Sequence, residues 1–303
     1  MTSLSVVLPI FNAENYLHLA LDSIFSQSFT DFEVIAVDDG SSDTSLNILE
    51  KYATQDSRLK IISRENRGLI YSLNEACVAA KSAYLLRMDA DDICADDRFE
   101  RQYRYMENNP DCVALGGRVL LIDDSGDPIK EMGEFESHQE IDSLHMRGEG
   151  GAIIHPAAII RKSAWEQAGK YRSDFPHAED LDLFLRLAET GRLANLKHQV
   201  LSYRQHMESV GYTKRQEQFL SARKAVLDAV KRRGLNTDLV DSLKEKKSAT
   251  KPEVYQKWAW WALGAGHTKT ARKYAVKTLT ETPIALSAWK LFACTIRDSL
   301  LKP

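Results

Sequence analysis

Short β-prone apolar runs alternate with helical segments through the first part of the chain. Alternation at this spacing is typical of a mostly parallel sheet with helices on both faces. The fold class that we expect is therefore α/β. The predicted strands are 5–11, 32–37, 59–62 and 83–88, and the predicted helices are 13–29, 44–54 and 72–80.

Two polar clusters come directly after predicted strands. The sequence DDGSSD, beginning at Asp38, follows the second strand, and DADD, beginning at Asp89, follows the fourth. In parallel α/β sheets, ligands bind outside the carboxyl ends of the strands. We therefore expect both clusters to lie at one edge of the sheet and to build a single site.

The stretch LLRMDADDICADD contains a D-x-D pair, Asp89 and Asp91, at the end of the fourth strand. Their side chains point to the same side if the backbone stays extended. One or two carboxylates, substrate phosphates and waters are the usual ligands of Mg²⁺ or Mn²⁺. We predict a metal site for a diphosphate here, with Asp92 as a supporting acid, and we assign Asp96 and Asp97 to the start of the next helix. A solvated acidic loop is the alternative.

An acid at the end of the second strand can accept a hydrogen bond from a base N–H or a ribose hydroxyl. An ordinary turn is the competing interpretation of DDGSSD, because Asp, Gly and Ser are common turn residues. No G-x-G-x-x-G or G-x-x-x-x-G-K-[ST] motif occurs near a predicted strand. The dinucleotide-binding and P-loop classes therefore lose support.

A third acidic motif, AEDLDLFLRL, begins an amphipathic helix predicted at 179–190. Its first turn offers Glu179, Asp180 and Asp182, and a carboxylate at this position can act as a general base. Acids in a first helical turn also offset the helix dipole without any catalytic role. The residues alone leave both interpretations open.

Charge is unevenly divided along the chain. Residues 1–213 hold 21 Lys and Arg against 35 Asp and Glu, a net −14, whereas residues 214–303 hold 19 against 8, a net +11. A basic segment of this kind suits an anionic surface. We therefore predict a catalytic domain at 1–213 and a basic helical C-terminal region at 214–303.

Aromatic residues are interspersed with Lys and Arg in this C-terminal region. A basic amphipathic helix can lie on an anionic membrane with Trp at the interface. The alternative is a helical hairpin, joined at 264–267 as in a TPR-like unit, that packs its apolar stripes against the catalytic domain. We exclude nucleic acid as a partner because no recognised binding module is present. The aromatic residues are Trp258, Trp260, Trp261, Tyr274, Trp289 and Phe292.

Cysteine usage and hydropathy indicate the compartment. The four cysteines stand far apart without a C-x-x-C pair, which argues against a zinc site or a disulfide framework and for a reducing environment. No apolar run of about 18 residues occurs, and the N-terminus lacks the features of a secretory signal. We therefore expect a cytoplasmic protein, with peripheral contact at the inner face of the membrane if the basic region binds lipid.

Four stretches together resemble bacterial family 2 glycosyltransferases. They are SVVLPIFNAENYLHLALDSIFSQSFTDFEVIAVDDGSSD, RENRGLIYSLNEA, YLLRMDADD and HAEDLDLFLRL. The resemblance covers roughly Leu4 to Ser209 and agrees in spacing and order at several places. It implies the GT-A fold, a Rossmann-like, mixed and mostly parallel sheet flanked by helices that binds a nucleotide sugar, followed here by a C-terminal helical appendage.

The resemblance assigns the nucleoside to the first two strand ends. Pro9 and Phe11, in LPIFN, match positions beside the nucleobase, with Glu14 nearby. Asp39 matches the acid that recognises the uracil N–H, and Asp38 supports it. A uracil-specific acid implies a UDP-sugar donor.

Further positions match the part of the family that binds the ribose and the diphosphate. Arg67, Gly68 and Asn74 match the loop and helix near these groups. The stretch YRQHMES resembles a segment that closes over the diphosphate, in which His206 would contact phosphate or metal. A surface loop histidine is the alternative for His206.

The chemistry implied by the resemblance is a direct displacement. Asp91 matches the direct ligand of Mn²⁺ or Mg²⁺, while Asp89 belongs to the metal motif and faces the ribose. Asp180 matches the catalytic base, which removes the proton of an acceptor hydroxyl. One base on the face opposite the leaving group implies inversion at the anomeric carbon.

The family pattern also limits the product. No Q-x-x-R-W motif follows the E-D pair, which argues against a polymer synthase and for addition of one sugar to a glycan or lipid-linked acceptor. The expected role is the biosynthesis of a bacterial surface polysaccharide such as lipopolysaccharide, O-antigen or capsule. The alternatives are a catalytically silent nucleotide- or glycan-binding protein of the same fold, and a sugar nucleotidyltransferase, whose Gly-rich basic loop is absent from LPIFNAEN.

Overall fold

The computed structural model describes residues 2–207, 209–245 and 249–301. The chain divides into two compact units. The first contains residues up to 119 together with 133–202 and 216–245. The second contains 120–132 and the described parts of 203–215 and 246–303. These units cross the predicted boundary at residue 213, since 216–245 belongs with the sheet, and the functional division at that residue stays a prediction.

The amino-terminal half consists of the predicted strand-helix alternation. Every residue of the first two strands is buried, because helices cover both faces of this part of the sheet. The elements are β1 (Leu4–Ile10), α1 (Leu17–Phe25), β2 (Phe32–Asp38), α2 (Ser45–Gln55), β3 (Leu59–Ser63), α3 (Leu69–Ala79) and β4 (Tyr84–Arg87).

Parallel pairing brings three strand ends to the same edge. Strand β1 pairs in parallel with β2 on one side and with β4 on the other, and β3 pairs in parallel with β2. The register aligns Ile10 with Asp38 and Val7 with Arg87. The polar clusters that follow β2 and β4 therefore flank the end of β1, as the sequence predicts.

The sheet continues with further strands, whose antiparallel direction the alternation does not predict. Strand β8 pairs antiparallel with β4 and β6, and β5 pairs antiparallel with β9. In the described residues the strand order is β3-β2-β1-β4-β8-β6-β9-β5, and β7 pairs with β6. The predicted mixed α/β fold is confirmed. The additional elements are β5 (Ile93–Cys94), α4 (Arg98–Asn108), β6 (Cys112–Ile122), β7 (Pro128–Met132), α5 (His138–Met146), β8 (Ile159–Arg161), α6 (Lys162–Gln167), α7 (Glu179–Leu187) and β9 (Arg192–Arg204).

The first helix is shorter than predicted. It begins at Leu17 rather than at residue 13, because Asn12 has a φ of 49° and the next residues form a turn in which Tyr16 N–H donates to the Ala13 carbonyl (3.0 Å). This turn leaves the end of β1 free to form a loop beside DDGSSD. The loop residues are described with the site below.

The remaining helices follow the sheet. Helix α9 belongs to the first unit, where Ala225, Val226 and Ala229 lie in a core with Leu181 and Leu185 of α7. None of the helices within the described residues is long and apolar enough to cross a bilayer. The carboxy-terminal helices are α8 (Val210–Thr213), α9 (Arg215–Arg232), α10 (Asp238–Asp241), α11 (Lys251–Gly264), α12 (Thr268–Glu281) and α13 (Leu286–Leu301).

The second unit contains the predicted hairpin of helices α11 and α12, joined at 264–267. Trp258 and Tyr274 are buried between them and pack edge to face, with ring centroids 5.0 Å apart. The Trp258 indole N–H donates to the Tyr212 hydroxyl at 3.0 Å. These two aromatic residues are therefore core residues of the second unit, whereas Trp289 is 54% exposed.

Candidate active site

The acid after β2 fixes the start of α3. Asp39 is buried and accepts hydrogen bonds from the backbone N–H groups of Arg67 (2.8 Å) and Gly68 (2.9 Å), and from the Arg64 guanidinium. Arg64 also pairs with Glu75 on α3 (2.6 Å). Asp39, Arg67 and Gly68, which the family resemblance assigns to the donor site, therefore lie together. Direct contact of Asp39 with a uracil stays a prediction.

Asp38 holds the neighbouring loop. Its carboxylate accepts from the Ser41 N–H (3.3 Å) and from the Ser63 hydroxyl at the end of β3 (2.9 Å). Gly40 has a φ of +73°, and a Cβ there would lie 2.7 Å from Asn66 N. Only glycine fits this close approach without strain. Asp38 is therefore a supporting residue of the loop.

The loop after β1 is tied to the same region. Glu14 accepts from the N–H (3.0 Å) and hydroxyl (2.7 Å) of Thr44. Pro9 is buried in β1, opposite Val37, whereas Phe11 is 54% exposed. Of the residues predicted beside the nucleobase, Phe11 is thus the one that can stack on a ligand, and Glu14 shapes the loop.

Asn74 connects α3 to the segment that precedes α7. Its side-chain N–H donates to the Tyr171 carbonyl (2.9 Å), and its carbonyl oxygen accepts from the Tyr171 N–H (3.1 Å). Both ends of the amide are therefore bound to backbone. The structure gives Asn74 a positioning role, while contact with a ribose or diphosphate stays a prediction.

Three carboxylates converge after β4. Single oxygen atoms of Asp89, Asp91 and Asp92 lie within 4.8 Å of one another. Asp92 is buried, and Asp89 and Asp91 are partly exposed. Several carboxylate oxygens at this spacing fit a hard divalent cation such as Mg²⁺ or Mn²⁺. Asp97 instead precedes the first residue of α4 and pairs with Arg101 (2.6 Å), which agrees with its assignment to the helix start.

Two buried arginines lie beneath this acidic cluster. Arg87 Nη1 lies 2.5 Å from Asp89 Oδ1, and Arg98 Nη2 donates to the Arg87 carbonyl at 2.8 Å. Although burial opposes the charge of Arg87, the carboxylate of Asp89 raises the Arg87 pKa. The arginines offset part of the repulsion among the acids. The sequence prediction missed them, although an arginine within the apolar run LLRM was a visible signal.

The E-D pair begins α7. Burial, followed by the charge of Asp180, raises the pKa of Glu179 from 4.5 to about 7. Burial also raises the pKa of Asp180, whose Oδ1 accepts from the Leu181 N–H at 2.7 Å, and Arg87 opposes the rise in both acids. The charge of Asp89 acts on Glu179 as well. The E-D pair therefore shares an electrostatic environment with the cluster after β4.

Asp182 is engaged in ion pairs and is not a candidate base. It is buried and pairs with Arg186 at 2.6 Å, and the Arg172 guanidinium bonds to both of its carboxylate oxygens. Arg172 also reaches Asp228 on α9 (2.6 Å). Asp182 therefore anchors the helix, which leaves Glu179 and Asp180 at the site.

A buried histidine–tyrosine pair also belongs to this region. His155 Nε2 and the Tyr171 hydroxyl are 2.8 Å apart. Burial, reinforced by the charge of Arg87, keeps the pKa of His155 well below its usual value. A neutral His155 therefore supports the segment that carries Asn74's partner, Tyr171. Apart from its place in an apolar segment, this histidine has no sequence feature that indicates a function.

His206 lies in the second unit, where its backbone N–H donates to the Ser209 hydroxyl at 3.3 Å. The motif YRQHMES in which it was predicted includes Glu208, which lies outside the described residues. Contact of His206 with phosphate or metal stays a prediction.

Residues 5–168 match the model of a protein family described as glycosyl transferase family 2. The O-antigen biosynthesis glycosyltransferase WbnJ of Escherichia coli is 31% identical over 210 residues, which cover 68% of this chain and 81% of WbnJ. The putative glycosyltransferase EpsE of Bacillus subtilis is 31% identical over 210 residues, covering 68% of this chain and 74% of EpsE.

Two solved structures share the fold at low sequence identity. TarS residues 1–349 from S. aureus, in complex with UDP-GlcNAc, align with a TM-score of 0.54 at 17% identity, over 98% of this chain and 80% of that 1–349 chain. The mannosyltransferase PcManGT from Pyrobaculum calidifontis, in complex with GDP-Man and Mn²⁺, aligns with a TM-score of 0.57 at 17% identity, over 99% of this chain and 81% of its own. The predicted GT-A fold is confirmed.

Proposed function

Because the chain belongs to glycosyl transferase family 2, we propose that it is a metal-dependent, inverting glycosyltransferase that moves one sugar from a UDP-sugar. The observation that carries this proposal is that the acid cluster after β4 lies close enough to the E-D pair of α7 for the charge of Asp89 to act on Glu179. One cluster suits a cation and a diphosphate, and the other offers a base with a raised pKa. Both functions are needed for sugar transfer from a nucleotide donor.

The proposed reaction forms a bond between an acceptor oxygen and the anomeric carbon as the bond from that carbon to the diphosphate oxygen breaks. Asp180 accepts the proton of the attacking hydroxyl. A raised pKa suits this role, because a base is most effective when its pKa approaches the working pH. With the base opposite the leaving group, an α-linked donor gives a β-linked product.

Asp91, together with Asp89, would hold Mn²⁺ or Mg²⁺. When bound, the cation supplies positive charge that stabilises the departing nucleoside diphosphate. Arg87 holds Asp89 through their 2.5 Å contact. Arg67 and Gly68, positioned by Asp39, and the exposed ring of Phe11 would bind the nucleotide.

The donor and acceptor classes rest on similarity to other proteins. UDP-GlcNAc and UDP are bound in the TarS structures, whereas PcManGT carries GDP-Man. WbnJ acts in O-antigen biosynthesis. We therefore favour UDP-sugars and a glycan or lipid-linked acceptor of a bacterial surface polysaccharide. The basic region 214–303 would bring the enzyme to the cytoplasmic face of the membrane, where such acceptors are anchored.

A thermal-shift panel of nucleotide sugars tests the donor proposal. Ligand that binds the native state raises the melting temperature by mass action. UDP-sugars with Mn²⁺ should stabilise the wild type more than GDP-sugars do, and Asp91→Asn should lose the Mn²⁺-dependent part of the shift. Asp111→Asn, an exposed acid elsewhere on the sheet unit, serves as the control. Equal shifts without metal would contradict the proposal, while binding without turnover across donors and acceptors would favour a silent binding protein.

A further inference from the structure

Helix α13 has two faces of different character. Its inner face is packed in the second unit, where Ala288, Leu291 and Thr295 are fully buried. Its outer face exposes large apolar side chains, with Leu286 86% exposed and Trp289 54% exposed. Exposed apolar residues in such proximity on a surface indicate a binding face.

The apolar residues continue along one stripe of the helix. Leu286, Trp289, Ala293 and Ile296 recur at intervals of three and four and are all exposed. This spacing places them on a single face, because an α-helix has 3.6 residues per turn. The stripe is therefore a continuous apolar surface about three turns long.

The turn before α13 extends this surface. Ile284 is 94% exposed. The Trp289 indole N–H donates to the Pro283 carbonyl at 2.8 Å, which fixes the ring against the turn that carries Ile284. We call this apolar surface the outer face of α13; it consists of Ile284, Leu286, Trp289 and Ile296. Because the Trp289 ring is fixed, part of this surface is already ordered before a partner binds.

Basic residues border the outer face on one side. Lys290 and Arg297 are exposed and lie seven residues apart, two helical turns along the same edge. An anionic lipid surface offers phosphate groups to these two cations, and residues 214–303 carry a net charge of +11.

We propose that the outer face of α13 docks this protein on an anionic lipid bilayer. The apolar residues would enter the boundary between headgroups and acyl chains, Trp289 would lie at that boundary, and Lys290 and Arg297 would contact lipid phosphates. The helix lies on the bilayer rather than crossing it, which agrees with the mixed apolar and basic pattern. This docking would bring the enzyme to a lipid-linked acceptor, so its biological purpose rests on the proposed function. Lipid binding itself is measured independently of sugar transfer.

Vesicle flotation of the full chain tests this docking. Vesicles of phosphatidylcholine alone are compared with vesicles containing phosphatidylglycerol. We expect binding to the anionic vesicles that falls as salt is raised, because salt screens the phosphate contacts. Binding that is absent, or equal for neutral and anionic vesicles, would overturn the proposal.

Two double variants separate the basic from the apolar contribution to vesicle binding. Each basic residue near an anionic surface is worth about a fivefold change in binding, so K290Q combined with R297Q should weaken binding roughly twentyfivefold. L286S combined with I284S should abolish flotation. L220S removes an apolar side chain of α9 that is 59% exposed and serves as the control, with flotation unchanged. Wild-type flotation of both double variants would assign any binding to another surface and contradict the proposal.

Two further measurements distinguish lipid docking from self-association and from donor binding. Sedimentation equilibrium detects self-association: a dimer that L286S disrupts, without vesicle binding, would assign the outer face to a second copy and overturn lipid docking. Thermal shift with a UDP-sugar and Mn²⁺ tests the proposed function separately. Intact donor binding without flotation refutes only the docking, and flotation without any donor binding refutes only the proposed donor.

Discussion

Glu179 should destabilise the protein at alkaline pH, and Glu179→Gln should remove that effect. The side chain is 7% exposed, and burial together with Asp180 raises its pKa from 4.5 to about 7. One pKa unit corresponds to about 1.4 kcal/mol, so ionised Glu179 costs the native state about 3 kcal/mol. Glutamine has nearly the same shape and stays neutral, so the variant should keep the fold.

The sign of the pH dependence follows from proton binding. Between pH 4.5 and about 7 the native state binds a proton at Glu179 that the unfolded state has released. Stability therefore falls as pH rises through this window, and the full cost is present above it. At lower pH, where the carboxyl is protonated in both states, this cost disappears.

Urea unfolding at pH 5 and pH 8 measures the effect. Wild type should lose stability between these pH values by up to about 3 kcal/mol more than E179Q does. The exposed Glu50→Gln on α2 controls for loss of one carboxylate and should follow the wild type. The same change in urea midpoint for E179Q and the wild type would contradict a raised pKa of Glu179 in the native state.

Three further predictions concern the same unit. Asn74→Ala removes both hydrogen bonds to the Tyr171 backbone and should cost about 1–3 kcal/mol in urea unfolding; an unchanged midpoint would exclude the positioning role. Gly40 has a φ of +73°, and a Cβ there would lie 2.7 Å from Asn66 N. Gly40→Ala should therefore lower the free energy of unfolding by about 2 kcal/mol or more, and an unaltered melting temperature would contradict backbone strain in the variant. Because burial raises the pKa of Asp180, sugar transfer should be lost as pH falls through that raised value. Full activity at pH 4 in a still-folded protein would contradict this assignment.

The parallel half of the fold was predictable because local signals agree there. Strands β1, β2 and β4 are short apolar runs that end at polar clusters, so their position and the shared edge followed from the sequence. The two-residue strand β5 has no such pattern. In β9 the exposed residues 197–199 interrupt the apolar positions, which obscures a strand of 13 residues.

One missed element had a visible signal. Helix α5 begins after Ser137, whose hydroxyl accepts from the Glu140 N–H while the Glu140 carboxylate accepts from the Ser137 N–H. This capping box is recognisable from Ser and Glu three residues apart before an apolar residue. The polar surroundings of 125–150 concealed it.

The site was predictable in its position but not in its supporting contacts. Acids after strand ends indicated the edge, whereas three acids in the first turn of α7 could not be told apart. Asp182 is distinguished only by its ion pairs with Arg172 and Arg186, which come from tertiary structure. Arg87 was visible in the apolar run LLRM but was missed, because its partner Asp89 was assigned to a ligand rather than to a buried cation.

Turnover of Asp180→Asn measures whether this carboxylate is the catalytic base. We expect a fall in sugar transfer of roughly 10²–10⁴-fold, with the stabilisation by a UDP-sugar and Mn²⁺ retained because the donor ligands are intact. The exposed Asp174→Asn, six residues earlier in the same region, should transfer sugar at the wild-type rate. Near-normal transfer by Asp180→Asn would contradict the assignment of this carboxylate as the base.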